Sequence, residues 1–301
     1  MLYRVTHVTA YAYEDRVSVS HNEARVTPRR TPGQLPLRTQ LLIEPPPAVM
    51  SSRLDYFGNT SHFFSLEESH GRLSVTAVSE VDVTGVEPPA AALTPAWETV
   101  RAEVRRDRSP AGLEAMGYTF DSPFVRPEPE VVEYARSSFR PGRPMLETAF
   151  ELTQRIFKDF KYEPGVTSIA TPLNEVMRVR RGVCQDFAHL EIAMLRAFGL
   201  PARYVSGYMR TRPPPGRPRL TGADASHAWL SLYCPGFGYV DLDPTNGSMP
   251  KDEHVTVAWG RDFGDVSPLK GVILGGGQHS LRVSVDVAAM GGPPSSAAPG
   301  E

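Results

Sequence analysis

Little in this sequence points to disulfides, metals or nucleic acid. Only two cysteines, Cys184 and Cys234, occur in 301 residues. A disulfide-stapled secreted framework carries more, at patterned spacings, so two reduced thiols in a cytoplasm are expected. There is no His-Glu-x-x-His motif and no paired-cysteine zinc spacing. No Walker loop is present, and Gly275-Gly276-Gly277 does not open a dinucleotide fingerprint. No metal or organic cofactor is therefore expected. A formal net charge of −2 lacks the basic excess of a nucleic-acid binder. No apolar run reaches the length of a membrane span, and Met1–Val17 lacks the basic and apolar regions of a secretory signal. There are no internal repeats.

What is present is the composition of a soluble globular protein, 41% hydrophobic and 22% charged. The 29 prolines imply much extended or turned chain. Residues 1–86 read as an antiparallel β-domain. Tyr3–Tyr13, Val17–Pro28, Leu37–Ile43, Thr60–Leu66 and Leu73–Val83 are its strand-like runs, and Phe57-Gly58-Asn59 is a turn. His7, His21, His62 and His70 are scattered through it and read as structural or exposed. Residues 87–127 have a linker composition, opening on Glu87-Pro88-Pro89-Ala90-Ala91-Ala92, with one short helix at most. Residues 128–287 form the candidate catalytic domain, and 288–301 a disordered tail.

Helical signals dominate the start of that catalytic region. Glu128–Phe139 and Met145–Phe160 have apolar residues at helical spacing, and Thr171-Pro172 opens a third helix that stops near Gly182. Phe187, Leu190, Met194, Leu195 and Phe198 then make an apolar stripe on a helix that begins at Cys184 and ends at Gly199. Ala202–Met209, Ala225–Tyr233 and Tyr239–Asp243 read as strands, the first two separated by the proline-rich Arg212–Arg219 loop.

The position of Cys184 carries chemistry. Backbone N–H groups at a helix start are unpaired and partially positive, so a thiolate there is stabilised. Gly182 gives the preceding chain room to turn. Asp186 puts a negative charge in the first turn, where it suits the dipole. His189, five residues on, is rotated off the Cys184 face and reads as structural.

A hairpin closed by Cys234-Pro235-Gly236 would place Tyr233 opposite Phe237, Ser231 opposite Tyr239, Trp229 opposite Asp241 and His227 opposite Asp243. Opposed residues have Cβ atoms about 5 Å apart. The same register gathers Leu230, Leu232, Val240 and Leu242 on the other face. Asp243 can then orient the His227 imidazole and stabilise its protonated form. Asp241 shares the face but opposes Trp229, and Asp243, before Pro244, sits at the rim where a site can open, so Asp243 is preferred. Cys234 reads as a bystander.

At this point the sequence resembles the bacterial transglutaminase-like superfamily. The stretches that carry the resemblance are Arg181–Leu190, Pro201–Tyr208, Ala225–Trp229 and Asp243–Gly247, with Phe160-Lys161-Tyr162 and Pro164-Gly165 upstream of the cysteine. Tyr3–Val83 is similar to the β-domain that often precedes this core. The resemblance takes in nearly the whole chain and is most specific in the C-terminal two-thirds. It implies an α+β fold, with the N-terminal antiparallel β-domain followed by a papain-like core in which a helix-borne cysteine packs on an antiparallel sheet. It also implies Cys184, His227 and Asp243 as catalytic residues. Transglutaminases, cysteine peptidases and amidases of the family share thiolate attack on an amide carbonyl and differ in the acyl acceptor. The expected partner is a protein or peptide substrate. Gln185 and Tyr162 are candidate oxyanion or cleft residues. The competing expectation is a non-enzymatic peptide-binding module on the same scaffold.

Overall fold

The computed structural model describes residues 1–211 and 225–290. Alternating β-branched and aromatic residues near the N-terminus produce an unusually long strand, β1 (Leu2–Ala24), followed by β2 (Gln34–Glu44), β3 (Val49–Leu54), β4 (Thr60–Leu66) and β5 (His70–Val83). These pair in the order β2-β5-β1-β4-β3, all antiparallel. Period-2 patterning is clearest in β5, whose Leu73, Val75, Ala77, Val81 and Val83 are buried. The β1–β5 ladder shifts register between Ala12 and Val17, which is why the sequence reads as two strand runs rather than one. The short, fully exposed β3 carries no burial pattern and has no signal in the sequence.

Residues 87–127 are more than a connector. They form α1 (Trp97–Arg106) and α2 (Pro110–Gly117), and Trp97, Val100 and Val104 enter the main core. Next come α3 (Pro129–Arg136), α4 (Met145–Asp159), the two-residue strand β6 (Lys161–Tyr162), α5 (Leu173–Val179), the equally short β7 (Arg181–Gly182) and α6 (Cys184–Ala197). A four-stranded antiparallel sheet then follows from β8 (Ala202–Met209), β9 (Ala225–Cys234), β10 (Gly238–Leu242) and β11 (His254–Gly260), in the order β10-β9-β8-β11. A one-turn helix, α7 (Phe263–Val266), leads into β12 (Leu269–Gly275) and β13 (His279–Ala289). The proline-rich Arg212–Arg219 loop and the tail from residue 291 lie outside the described residues. No helix among the described residues is long and apolar enough to cross a membrane.

Helix α6 packs on β8 and β9. Its Phe187, Leu190, Ile192, Met194 and Leu195 are buried, each contributing about 1.5–3 kcal/mol of apolar transfer. The sequence reads as a one-sided stripe, but α6 is buried nearly all round, from Asp186 to Arg196. Its buried polar residues each make at least one bond, although Glu191 Oε2 is without a partner among the described residues. His189 Nε2 accepts the Phe263 N–H at 3.1 Å, Glu191 accepts the Thr153 hydroxyl at 2.8 Å, and Arg196 donates to the Ala202 and Arg261 carbonyls at 2.8 and 2.6 Å.

The expected boundary at residue 287 differs in the structure. β13 pairs with β1 from Tyr3 to Tyr13, and β12 pairs with β1 from Val17 to Ala24. The chain thus returns to its first sheet, which has seven strands rather than five. Alternation in Leu281–Val287 buries Val285 and Val287 in the same apolar core as α6. Residues 288 and 289, expected in the tail, are strand residues. Since β1 needs β12 and β13 on one side, residues 1–86 expressed alone are predicted to give no cooperative thermal transition, whereas residues 1–290 melt cooperatively. Circular dichroism with temperature checks this.

Candidate active site

Helix α6 starts at Cys184, with Val183 as an extended N-cap at φ −120° and ψ 178°. Val183 has no side chain to cap the helix. Asp186 makes the reciprocal half of a capping box by turning back, its Oδ2 accepting the Val183 N–H at 2.8 Å and the Thr167 hydroxyl at 2.6 Å. Burial raises the Asp186 carboxyl above its usual range, against the pull of those two donors. Gly182 is needed because a Cβ there would lie 2.6 Å from Asp186 Oδ2. The requirement is close approach rather than a positive φ. The first helical bond runs from Phe187 N–H to Val183 O at 3.2 Å, so the Cys184 and Gln185 N–H groups lie ahead of the helical ladder.

Strand β9 brings the imidazole. His227 is buried, and it is coupled electrostatically to Cys184, whose negative charge favours the protonated imidazole. Its Nε2 lies 2.8 Å from Asp243 Oδ2, and because the carboxylate only accepts, Nε2 carries the hydrogen. Nδ1 is thereby left for the thiol.

The structure unites His227 and Asp243 by a different register from the one expected. Gly238 pairs with Cys234, Tyr239 with Tyr233, Asp241 with Ser231 and Leu242 with Leu230. The turn is Pro235–Phe237, because Cys234 stays in the strand with its side chain buried in the core. Positive φ values at Gly236 and Gly238, 83° and 82°, let the chain reverse there. The slip preserves the two faces. It also takes Asp241 out of contention, since the Ser231 hydroxyl donates to it. Asp243 leaves the ladder after Leu242 and turns, its N–H bonded to Ser248 O at 2.8 Å, which swings the carboxylate to His227.

Asp243 has no solvent exposure. Its Oδ1 accepts the Thr245 and Asn246 N–H groups at 2.9 and 3.2 Å, and its Oδ2 accepts His227, His254 and the Asn246 amide at 2.8, 3.0 and 2.7 Å. Burial pushes this carboxyl upward, but the imidazole bonds outweigh it and hold it far below the ordinary carboxylate range. For His227, burial acts downward. The bond to Asp243 and the negative charges of Asp243 and Cys184 overcome it and lift the imidazole to about 10.

Tyr162, half exposed, pairs with Gly182 through the β6–β7 bridge, and its hydroxyl senses the charge of Cys184. Gln185 is half-buried, one residue into α6 after Cys184. Cys184 is partly exposed, whereas Cys234 is fully buried and its thiol is pushed up to about 11 by that burial. Both thiols are free. His254 and Asn246 are site residues to which sequence reasoning gave no role. The only trace of His254 is its place at the head of an alternating run, His254-Val255-Thr256-Val257.

His227, Asp243 and His254 offer ligand atoms within 4.8 Å of one another, a spacing that invites a metal. Here the two short contacts are hydrogen bonds, and the Asn246 amide nitrogen, a donor, sits 2.7 Å from the same oxygen. The arrangement is a carboxylate shared among donors.

The His227 imidazole should remain protonated through neutrality and lose its proton as pH rises through about 10. In Asp243→Asn the chief upward influence is gone, so the titration should fall toward or below the ordinary 6.5. NMR titration of the ring nitrogens checks this, and an unchanged midpoint in Asp243→Asn would contradict it.

Residues 3–82 match the bacterial transglutaminase-like N-terminal region, and residues 132–244 match the transglutaminase-like superfamily core. An uncharacterised protein of Mycobacterium tuberculosis is 43% identical, over 96% of this chain and 93% of its own. A protein-glutamine gamma-glutamyltransferase of Pseudomonas aeruginosa is 30% identical over 108 residues, 33% of this chain and 16% of that protein. A solved structure from Cytophaga hutchinsonii, described as a candidate cysteine protease, shares the fold at a TM-score of 0.74 and 21% identity, covering 98% of this chain and 93% of that one. With its N-terminal β-region and its helix-borne cysteine on an antiparallel sheet, the chain belongs to the transglutaminase-like superfamily.

Proposed function

We propose that the protein is a thiol enzyme that takes the acyl group from an amide, either a glutamine side chain or a peptide bond, in a protein or peptide substrate. The observation that carries this reading is one buried imidazole, His227, bonded to the carboxylate of Asp243 and coupled electrostatically to Cys184 at a helix start. A protonated His227 beside Sγ favours the thiolate, and Asp243 fixes the tautomer that leaves Nδ1 facing the sulfur.

In the first half-reaction Sγ bonds to the amide carbonyl carbon. The C–N bond breaks, His227 gives its proton to the departing nitrogen, and ammonia or an amine leaves behind a Cys184 thioester. In the second, water or a primary amine attacks that carbonyl, His227 takes the proton back, and the sulfur departs as thiolate. The oxyanion would accept the Cys184 N–H, with Gln185 or Tyr162 as the second donor. Neither half-reaction requires a metal or an organic cofactor. Matches to a glutamine gamma-glutamyltransferase and to a candidate cysteine protease support amide chemistry and leave the acceptor as the variable.

The test is a product assay. The protein is incubated with a peptide library and a primary amine, and products are weighed by mass spectrometry to separate cleavage, deamidation and crosslinking. Product is expected with wild type and should fall by a thousandfold or more, on the order of magnitude known for loss of a nucleophile, in Cys184→Ala. Product at the wild-type rate in Cys184→Ala would sink the thiol mechanism, and peptide retention without product would favour a binding module.

A further inference from the structure

The second imidazole on Asp243 suggests a task for the N-terminal sheet. His254 is the first residue of β11, and its side chain is about nine-tenths buried. A buried imidazole ordinarily uses both ring nitrogens. Here Nδ1 has no partner among the described residues, and Nε2 donates to Asp243 Oδ2 at 3.0 Å. The ring packs edge-on against Trp229, with centroids 5.1 Å apart, which fixes its plane. All the polar capacity that His254 uses is spent on the carboxylate that orients His227.

Among the described residues β11 is the edge of its sheet, so one side of its backbone lacks a strand partner there. Two side-chain amides from the first sheet's half of the chain cover that edge. Gln34 Nε2 donates to Thr256 O, and Gln34 Oε1 accepts the Thr256 N–H, both at 2.8 Å. Asn59 repeats the pattern on Trp259, donating to its carbonyl and accepting its N–H, both at 2.9 Å. Each amide imitates one step of a β-ladder. The Arg29 guanidinium lies over the Trp259 ring at 3.1 Å, and the Arg29 N–H reaches Thr256 O at 3.2 Å. The first of these clamps is two residues from His254.

We propose that His254 is a positioning residue for the thiol centre, and that the N-terminal sheet, through Gln34 and Asn59, sets the strand that carries it. His254 touches no reacting atom. It restricts rotation of the Asp243 carboxylate and holds that group ionised, so that His227 keeps its proton and its aim at Cys184. The N-terminal region is then part of the catalytic machinery rather than an independent module. This inference rests on Cys184 and His227 acting as a thiol pair.

The experiment is the pH profile of the iodoacetamide reaction rate at Cys184 in full-length protein, with thermal melts to confirm folding. His254→Leu removes the donor and should slow alkylation at neutral pH by roughly tenfold, the scale of losing one hydrogen bond to a charged group. Its acid limb should move to higher pH, because a carboxylate with fewer donors protonates sooner. His254→Gln, whose amide nitrogen can occupy the place of imidazole Nε2, should restore both. Gln34→Leu should move the limb in the same direction by less. Wild-type behaviour in His254→Leu, or equal loss in the Leu and Gln variants, would overturn the positioning role. Wild-type behaviour in Gln34→Leu would overturn the clamp. If His254→Leu fails to fold, His254→Asn, too short to reach Asp243, takes its place. His227→Ala separates the two readings: if that variant alkylates Cys184 as fast as wild type, the thiol pair itself fails.

Discussion

A carboxylate with no access to water is among the costliest groups a protein can bury, and Asp243 is such a group. It stays charged because five donors surround it: two backbone N–H groups of its own turn, two imidazoles and one amide. The five donors arrive from three structural devices. The N–H groups need the turn after β10, His227 needs β9, and His254 needs β11. Losing one would expose the others to an unbalanced charge, so the ends of three strands are locked around one side chain. Cys184, the proposed nucleophile, is the first residue of α6 and is coupled electrostatically to the imidazole that Asp243 keeps protonated.

Much of this was legible in the sequence, though not for one uniform reason. Helix α6 announced itself through apolar spacing and its glycine stop. Cys184 stood out by lying at the start of that helix, a location where backbone polarity matters. His227 and Asp243 were findable because strand alternation fixes which residues share a face, and a slip that preserves parity left that relation intact. The register itself was missed. Turn composition alone could not reveal that Cys234 remains in the strand to fill the core. His254 was missed for a related reason: its importance depends on a strand placed beside β8 by tertiary contacts, at a distance no local pattern encodes. Asn246 sits in a stretch whose resemblance was noted, but a side chain that folds back on its own turn leaves no periodic trace.

The expected bounds at residues 86 and 287 do not anticipate that β12 and β13 join the first sheet, because sheets can recruit strands from either end of a chain. Alternation in Leu281–Val287 was compatible with a strand, yet nothing local said that its partner was β1. The result is a molecule in which the first and last described strands enclose the transglutaminase-like segment in sequence and share its apolar core in space. The free edge of β11, a liability in an isolated sheet, is covered by amides instead of another strand. The same bonds that protect the edge also settle where His254 sits.

The central claim is that the fold, rather than the intrinsic chemistry of a thiol, makes Cys184 the reactive cysteine. The most direct measurement is the ratio of iodoacetamide labelling at Cys184 and Cys234, read by peptide mapping at neutral pH in native and denatured protein. The account predicts labelling confined almost wholly to Cys184 in the native state and a ratio near one in denaturant. Equal, slow labelling of both thiols in the native protein would contradict it.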